Sequence, residues 1–74
     1  MRATATVLSF DRRKGYGFLL PDDLTADVFV HRNDLPPGRR YLNPNDRVDY
    51  EIGQRNGRPV AVNVTVVADA AVRR

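Results

Sequence analysis

The chain has no cysteine, no tryptophan and a single histidine among its 74 residues. Without cysteine there is no disulfide, no thiol nucleophile and no thiolate metal ligand. One histidine excludes a multi-histidine centre, so neither a metal nor a cofactor is expected. No apolar run approaches the ~18 residues of a membrane-spanning helix. The amino end carries no charged-then-apolar leader pattern. The expectation is a soluble, cytoplasmic monomer with no membrane contact. Lysine is almost absent too: eleven of the twelve basic residues are arginine. Aromatic residues make up only 8% of the chain, so their positions carry information.

What is present bounds the fold. A chain of this length makes one small domain that buries only about 60% of its unfolded surface. The apolar content of 42% is enough for one core and excludes a wholly disordered chain. Residues 1–67 read as that domain, and 68–74 as a flexible tail. The net charge of +3 attracts phosphate chains without specifying a fold. Arginine adds a planar fork for phosphate and a face that stacks on bases, which lysine lacks. Free use of arginine codons in a GC-rich genome is the simpler account of the arginine total.

Strand and turn signals run throughout, with no extended helical pattern. Thr4 to Phe10 is rich in β-branched residues and reads as the first strand. Gly15 to Leu20 follows a polar connection, and Pro21-Asp22-Asp23 is a turn. Asp27 to His31 is the third strand. Arg32 to Pro44 holds three prolines and a glycine, so it is a long irregular connection, with one tight helical turn at Asn33-Asp34-Leu35. Arg47 to Ile52 alternates, with Val48, Tyr50 and Ile52 inward. Asn56-Gly57 marks a tight hairpin, both positions favouring positive φ. Val60, Val62, Val64 and Val66 then share one face of the fifth strand. Five short strands in so small a chain bury a face by curling on themselves. The fold class is all-β, a five-stranded antiparallel Greek-key barrel of the oligonucleotide-binding type, whose ligand lies across strands two and three.

Those two strands carry the scarce aromatics. Period-2 geometry places Tyr16 and Phe18 on one face, opposite Gly15 and Gly17. It likewise places Phe29 and His31 on one face, opposite Val28 and Val30. The valines belong in a core, whereas the rings, with Lys14 beside them, suit the stacking of unpaired bases and the screening of phosphates. The residues thus point to a single-stranded nucleic-acid binder.

The same segments resemble a known family. Lys14-Gly15-Tyr16-Gly17-Phe18-Leu19 is similar to the first nucleic-acid-binding motif of cold-shock domains, usually Lys-Gly-Phe-Gly-Phe-Ile. Val28-Phe29-Val30-His31 matches the second, Val-Phe-Val-His, and Asn63-Val64-Thr65 resembles the last strand. The likeness covers roughly residues 4–67. It implies a closed barrel that binds single-stranded RNA or DNA with little sequence preference, acting as an RNA chaperone or as a regulator of transcription or translation. It carries the family's ligand positions onto Lys14, Phe10, Tyr16, Phe18, Phe29 and His31. The chain departs from the pattern at Ser9, where the family has tryptophan, and at Leu8, often lysine. Arg32 replaces a phenylalanine, and Arg39 falls about where many members have another aromatic. Each lost stacking ring removes about 1–3 kcal/mol, so two remove roughly 2–6 kcal/mol unless Arg32 and Arg39 compensate by stacking.

Other candidates are weaker. Asp27 stands at the mouth of strand three, placed to accept a hydrogen bond from a base. Phe10 divides between core and platform. Arg12 and Arg13 read either as phosphate contacts or as solvated loop residues, and for Arg39, Arg40, Arg55 and Arg58, all on loops, solvation alone is a sufficient account. No spacing suggests catalysis: Ser9 has no partner acid or oxyanion hole, and glycines in a strand form no phosphate loop. The competing reading is a barrel that has exchanged its base-stacking face for a protein partner, becoming an interaction or regulatory module.

Overall fold

The structure, a computed structural model, describes residues 2–68. Of the tail expected over 68–74, Ala68 instead ends the fifth strand, paired with Arg47, and the rest lies outside the described residues. Five strands, β1 (Ala3–Asp11), β2 (Tyr16–Pro21), β3 (Val28–His31), β4 (Arg47–Arg55) and β5 (Arg58–Ala68), close into a barrel in the order β1-β2-β3-β5-β4. An odd ring cannot alternate strand direction all the way round. The parallel neighbour pair is β3 with β5, and every other pair is antiparallel. A 3-10 turn at Arg32–Asp34 follows β3, one residue earlier than the helical turn expected. The β4–β5 hairpin turns at Asn56 and Gly57, whose φ values of 55° and 76° are those of the expected tight turn.

The core is built by alternation. Ala5 and Val7 of β1, Leu19 of β2, Val28 and Val30 of β3 and Val48 and Tyr50 of β4 all point inward. Leu35 and Leu42 join them from the long connection, so that loop contributes to the core as well as crossing the barrel. Among the described residues no helix is long and apolar enough to cross a membrane.

Three expectations are corrected. The valines of β5 do not share one face, because the register of β5 against β4 slips between Asp49↔Thr65 and Glu51↔Val62. The extra residue is a bulge at Asn63, which takes φ 51°. Before it, Ala61 is fully buried and Val60 pairs with Phe29 on the outer face; after it, Val64 faces the core. Ile52 is not core either. It continues the inward face of β4, but at the open end of the barrel, where it is 56% exposed. There it lines a hollow of about 490 Å³ with Tyr50, Val28 and Pro59. Finally, β3 begins at Val28, leaving Asp27 just outside the strand.

Asp22 ties the β2 end to β4. Arg47 grips both its carboxylate oxygens, Nη1 to Oδ1 at 2.6 Å and Nη2 to Oδ2 at 2.7 Å, and the Thr4 hydroxyl donates to Oδ2. The Arg47 guanidinium, with Thr4 second, holds the Asp22 carboxyl well below the usual carboxylate range. A carboxylate depressed in the folded state stabilises above its unfolded pKa, and that contribution fades as pH falls below it. Asp22→Asn should therefore lower Tm most near neutral pH. The gap to the unmodified protein should narrow as pH drops below about 4, the ordinary carboxylate range. Thermal melts followed by circular dichroism would check this, and a pH-independent gap would rule it out.

Candidate nucleic-acid interface

The β2–β3 ladder assembles the aromatic face. Tyr16 pairs across with His31, and Phe18 with Phe29, so all four rings project from the same side. Phe29 is central: its ring centroid lies 5.5 Å from that of Tyr16 and 5.8 Å from that of Phe18, the latter edge-on at 74°. Such pairs hold each other in place, each worth about 0.5–1.5 kcal/mol beyond burial. Phe18 remains 40% exposed, and Tyr16, Phe29 and His31 are half-buried. An open apolar ring surface of this kind suits a flat, π-faced ligand.

A bulge in β1 shapes the neighbouring strip. Val7 pairs with Leu19 and Ser9 with Phe18, so Leu8 is the extra residue, and Leu8 and Ser9 both face outward. Val7 is held there by backbone bonds to the long loop, donating to Asp46 O at 2.9 Å and accepting from Asn45 N at 2.8 Å. Past the bulge, Phe10 pairs with Gly17 and packs partly against the core, while one side of it lines a cleft with Tyr16, Phe18 and Ser9. The split expected for Phe10 between core and platform has this geometry. Gly17 is required by the close approach of the strands: a Cβ there would lie 2.1 Å from Ser9 O.

The β1–β2 loop is a tight turn around Asp11. Its Oδ1 accepts from Arg13 N and Lys14 N, both at 2.9 Å, and its carbonyl accepts from Gly15 N at 2.7 Å. Gly15, at φ 79°, completes the turn and leaves Arg12, Arg13 and Lys14 exposed. Arg32 lies across this glycine, its Cδ 2.8 Å from where a Cβ would stand. The arginine stem thus occupies space at the Tyr16–His31 end of the face. His31 caps the 3-10 turn by accepting from Asn33 N at Nδ1, 3.1 Å away. An accepting Nδ1 leaves the ring proton on Nε2.

Arg39 has a different setting. Its Nε donates to Tyr41 O at 3.0 Å, and its Nη2 to the Asp46 carboxylate at 3.2 Å. Asp46 is wholly buried and also accepts from Asn43 N at 2.9 Å. This guanidinium braces the long loop from within. Asp27 is exposed and immediately precedes β3.

Two features escaped the reading of the sequence. Arg55 and Arg58 meet Phe29 and Val60 in a cleft of about 200 Å³, which extends the aromatic face to the β4–β5 hairpin. Their position flanking Asn56-Gly57 was visible, but only the parallel β3–β5 pairing brings that hairpin to Phe29. The second is Tyr41, a lone aromatic in the long loop, against whose ring Arg12 lies at 3.7 Å from the centroid. No spacing in the sequence links residues 12 and 41. Among the described residues no cluster of His, Asp or Glu could hold a metal ion.

A closed five-stranded barrel with its exposed rings on β2 and β3 is an oligonucleotide-binding-type fold. Residues 3–67 match the 'Cold-shock' DNA-binding domain. The chain belongs to the cold-shock domain family, whose members are generally nucleic-acid-binding proteins. It is 46% identical over 66 residues to a cold shock protein of Arthrobacter globiformis, covering 88% of this chain and 98% of that one. It is 41% identical over 63 residues to the probable cold shock protein A of Mycolicibacterium smegmatis, covering 84% and 94% of the two chains. Among solved structures it resembles the drosophila Unr CSD456, with a TM-score of 0.78 and 25% identity, over 99% of this chain and 29% of that one.

Proposed function

We propose that this protein binds single-stranded RNA or DNA with low sequence specificity, stacking bases on Tyr16, Phe18, Phe29 and His31. Lys14 and the surrounding arginines, Arg32 among them, meet the phosphates. The observation that carries this reading is the packing of Phe29 against both Tyr16 and Phe18, which makes three rings one continuous surface. Stacking on a ring ignores the sugar, so RNA and DNA are both accepted. A strand held this way cannot pair with another, and weak, rapid binding of that kind amounts to RNA chaperoning, with control of transcription or translation as the consequence.

Anisotropy of a labelled pyrimidine-rich heptamer, titrated at two salt concentrations, tests the reading. Saturable binding that exceeds binding to the duplex is the expected result. The slope of log K against log salt, about 0.7 per neutralised phosphate, apportions the basic residues against the rings. Ser9→Trp sharpens the test. Ser9 sits opposite Phe18 on the outer face, so an indole there extends the platform by one ring. It should tighten binding by about 1–3 kcal/mol and flatten the salt slope. No gain, together with no heptamer binding by the folded protein, would favour the protein-interaction module.

A further inference from the structure

Arginines on the loops of a small basic barrel ordinarily sweep through solvent; Arg12 does not. Its guanidinium carbon lies over the Tyr41 ring, 3.7 Å from the centroid, a contact that restrains the group as well as placing its charge. Tyr41 is itself held, since Arg39 donates to its carbonyl at 3.0 Å and is anchored to the wholly buried Asp46 at 3.2 Å. A chain of contacts thus runs from a buried carboxylate to an exposed cation. It ends next to the aromatic face, because Asp11, the residue before Arg12, pairs with Tyr16.

We infer that Arg12, backed by Tyr41, forms an additional base-stacking step beyond the β2–β3 rings, taking one further unpaired nucleobase of a bound single strand. The base lies on the open side of the guanidinium, and the N–H edge of the same group is left to meet the adjoining phosphate. Arginine planes stack on bases as aromatic rings do. Here the group is already restrained against Tyr41 before the ligand arrives, so little side-chain freedom is lost on binding. The step rests on the single-strand reading above and adds one nucleotide to its footprint.

The test compares a labelled pyrimidine tetramer, which the β2–β3 rings suffice to seat, with a heptamer. Arg12→Lys keeps the charge but removes the plane; Tyr41→Leu removes the support; Phe29→Ala serves as the platform control. Arg12→Lys and Tyr41→Leu should each weaken heptamer binding about tenfold, within the range a stacked base supplies, and leave tetramer binding nearly unchanged. Phe29→Ala should weaken both lengths. Equal losses on both oligonucleotides, or a loss with Tyr41→Leu but none with Arg12→Lys, would overturn the step. If Phe29→Ala weakens the heptamer and the other two variants do not, the step fails while the platform stands. If the folded wild-type protein binds neither length, both fail.

Discussion

Phe29→Ala is expected to weaken binding of a pyrimidine-rich single strand by about 1–3 kcal/mol, at the upper end of that range. Phe29 is the ring that touches both Tyr16 and Phe18, at 5.5 and 5.8 Å between centroids. Its removal takes away one stacking surface and leaves the other two without the contact that orients them. It also opens the floor of the cleft shared with Arg55 and Arg58. Phe18→Ala, at the edge of the group, should cost less. The fold should survive both changes, because the inward neighbours Val28 and Val30 are fully seated in the core. Isothermal titration of each variant, with a thermal melt alongside, separates the two effects. Undiminished affinity in Phe29→Ala would place the ligand on another face.

The largest effect on stability is expected from the smallest change on that face, Gly17→Ala. A Cβ at this position would lie 2.1 Å from Ser9 O and 2.7 Å from Phe10 Cα. Both are backbone atoms, so no rotamer change relieves the overlap and β1 must move away from β2. Overpacking in a close-packed interior costs about 1–3 kcal/mol, and a backbone clash sits at the top of that range. A small domain has only about 5–15 kcal/mol of total stability, with short chains near the bottom. Denaturation in urea should show a midpoint lowered by a large fraction, with the slope unchanged. A variant as stable as the wild type would mean that the β1–β2 spacing is wider than described. Gly17 therefore serves the site indirectly: only glycine lets β1 approach closely enough for the outward bulge at Leu8 and Ser9 to border the ring surface.

Much of this was legible in the chain because strand period and turn chemistry are local. Tyr16 and Phe18 opposite Gly15 and Gly17, and Phe29 and His31 opposite paired valines, define an outer face with no knowledge of topology. Asn56-Gly57 likewise dictates its own hairpin. The valines of β5 were misread because of register. The bulge at Asn63 shifts β5 by one residue, and a one-residue shift exchanges the two faces of a strand, so Val60, though buried, is on the face of Phe29 while Val64 faces the core. Ile52 obeys its period and still is not buried, because alternation says which way a side chain points and not where the barrel ends. At the site, the four rings were found through their spacing. Arg12 with Tyr41 and Arg39 with Asp46 were not, since each pair joins segments whose meeting depends on how the long loop crosses the barrel.

The central claim is that a single strand lies across β2 and β3. An amide-correlation NMR titration of the isotopically labelled protein with an unlabelled pyrimidine heptamer locates the ligand without altering any residue. The largest shift changes are expected at residues 14–18 and 28–32, with further changes at Arg12, Tyr41, Arg55 and Arg58. The barrel end around Ile52 and Asp22 should stay silent. Shifts centred on that end instead, or a spectrum unchanged at saturating heptamer, would contradict the proposed binding face.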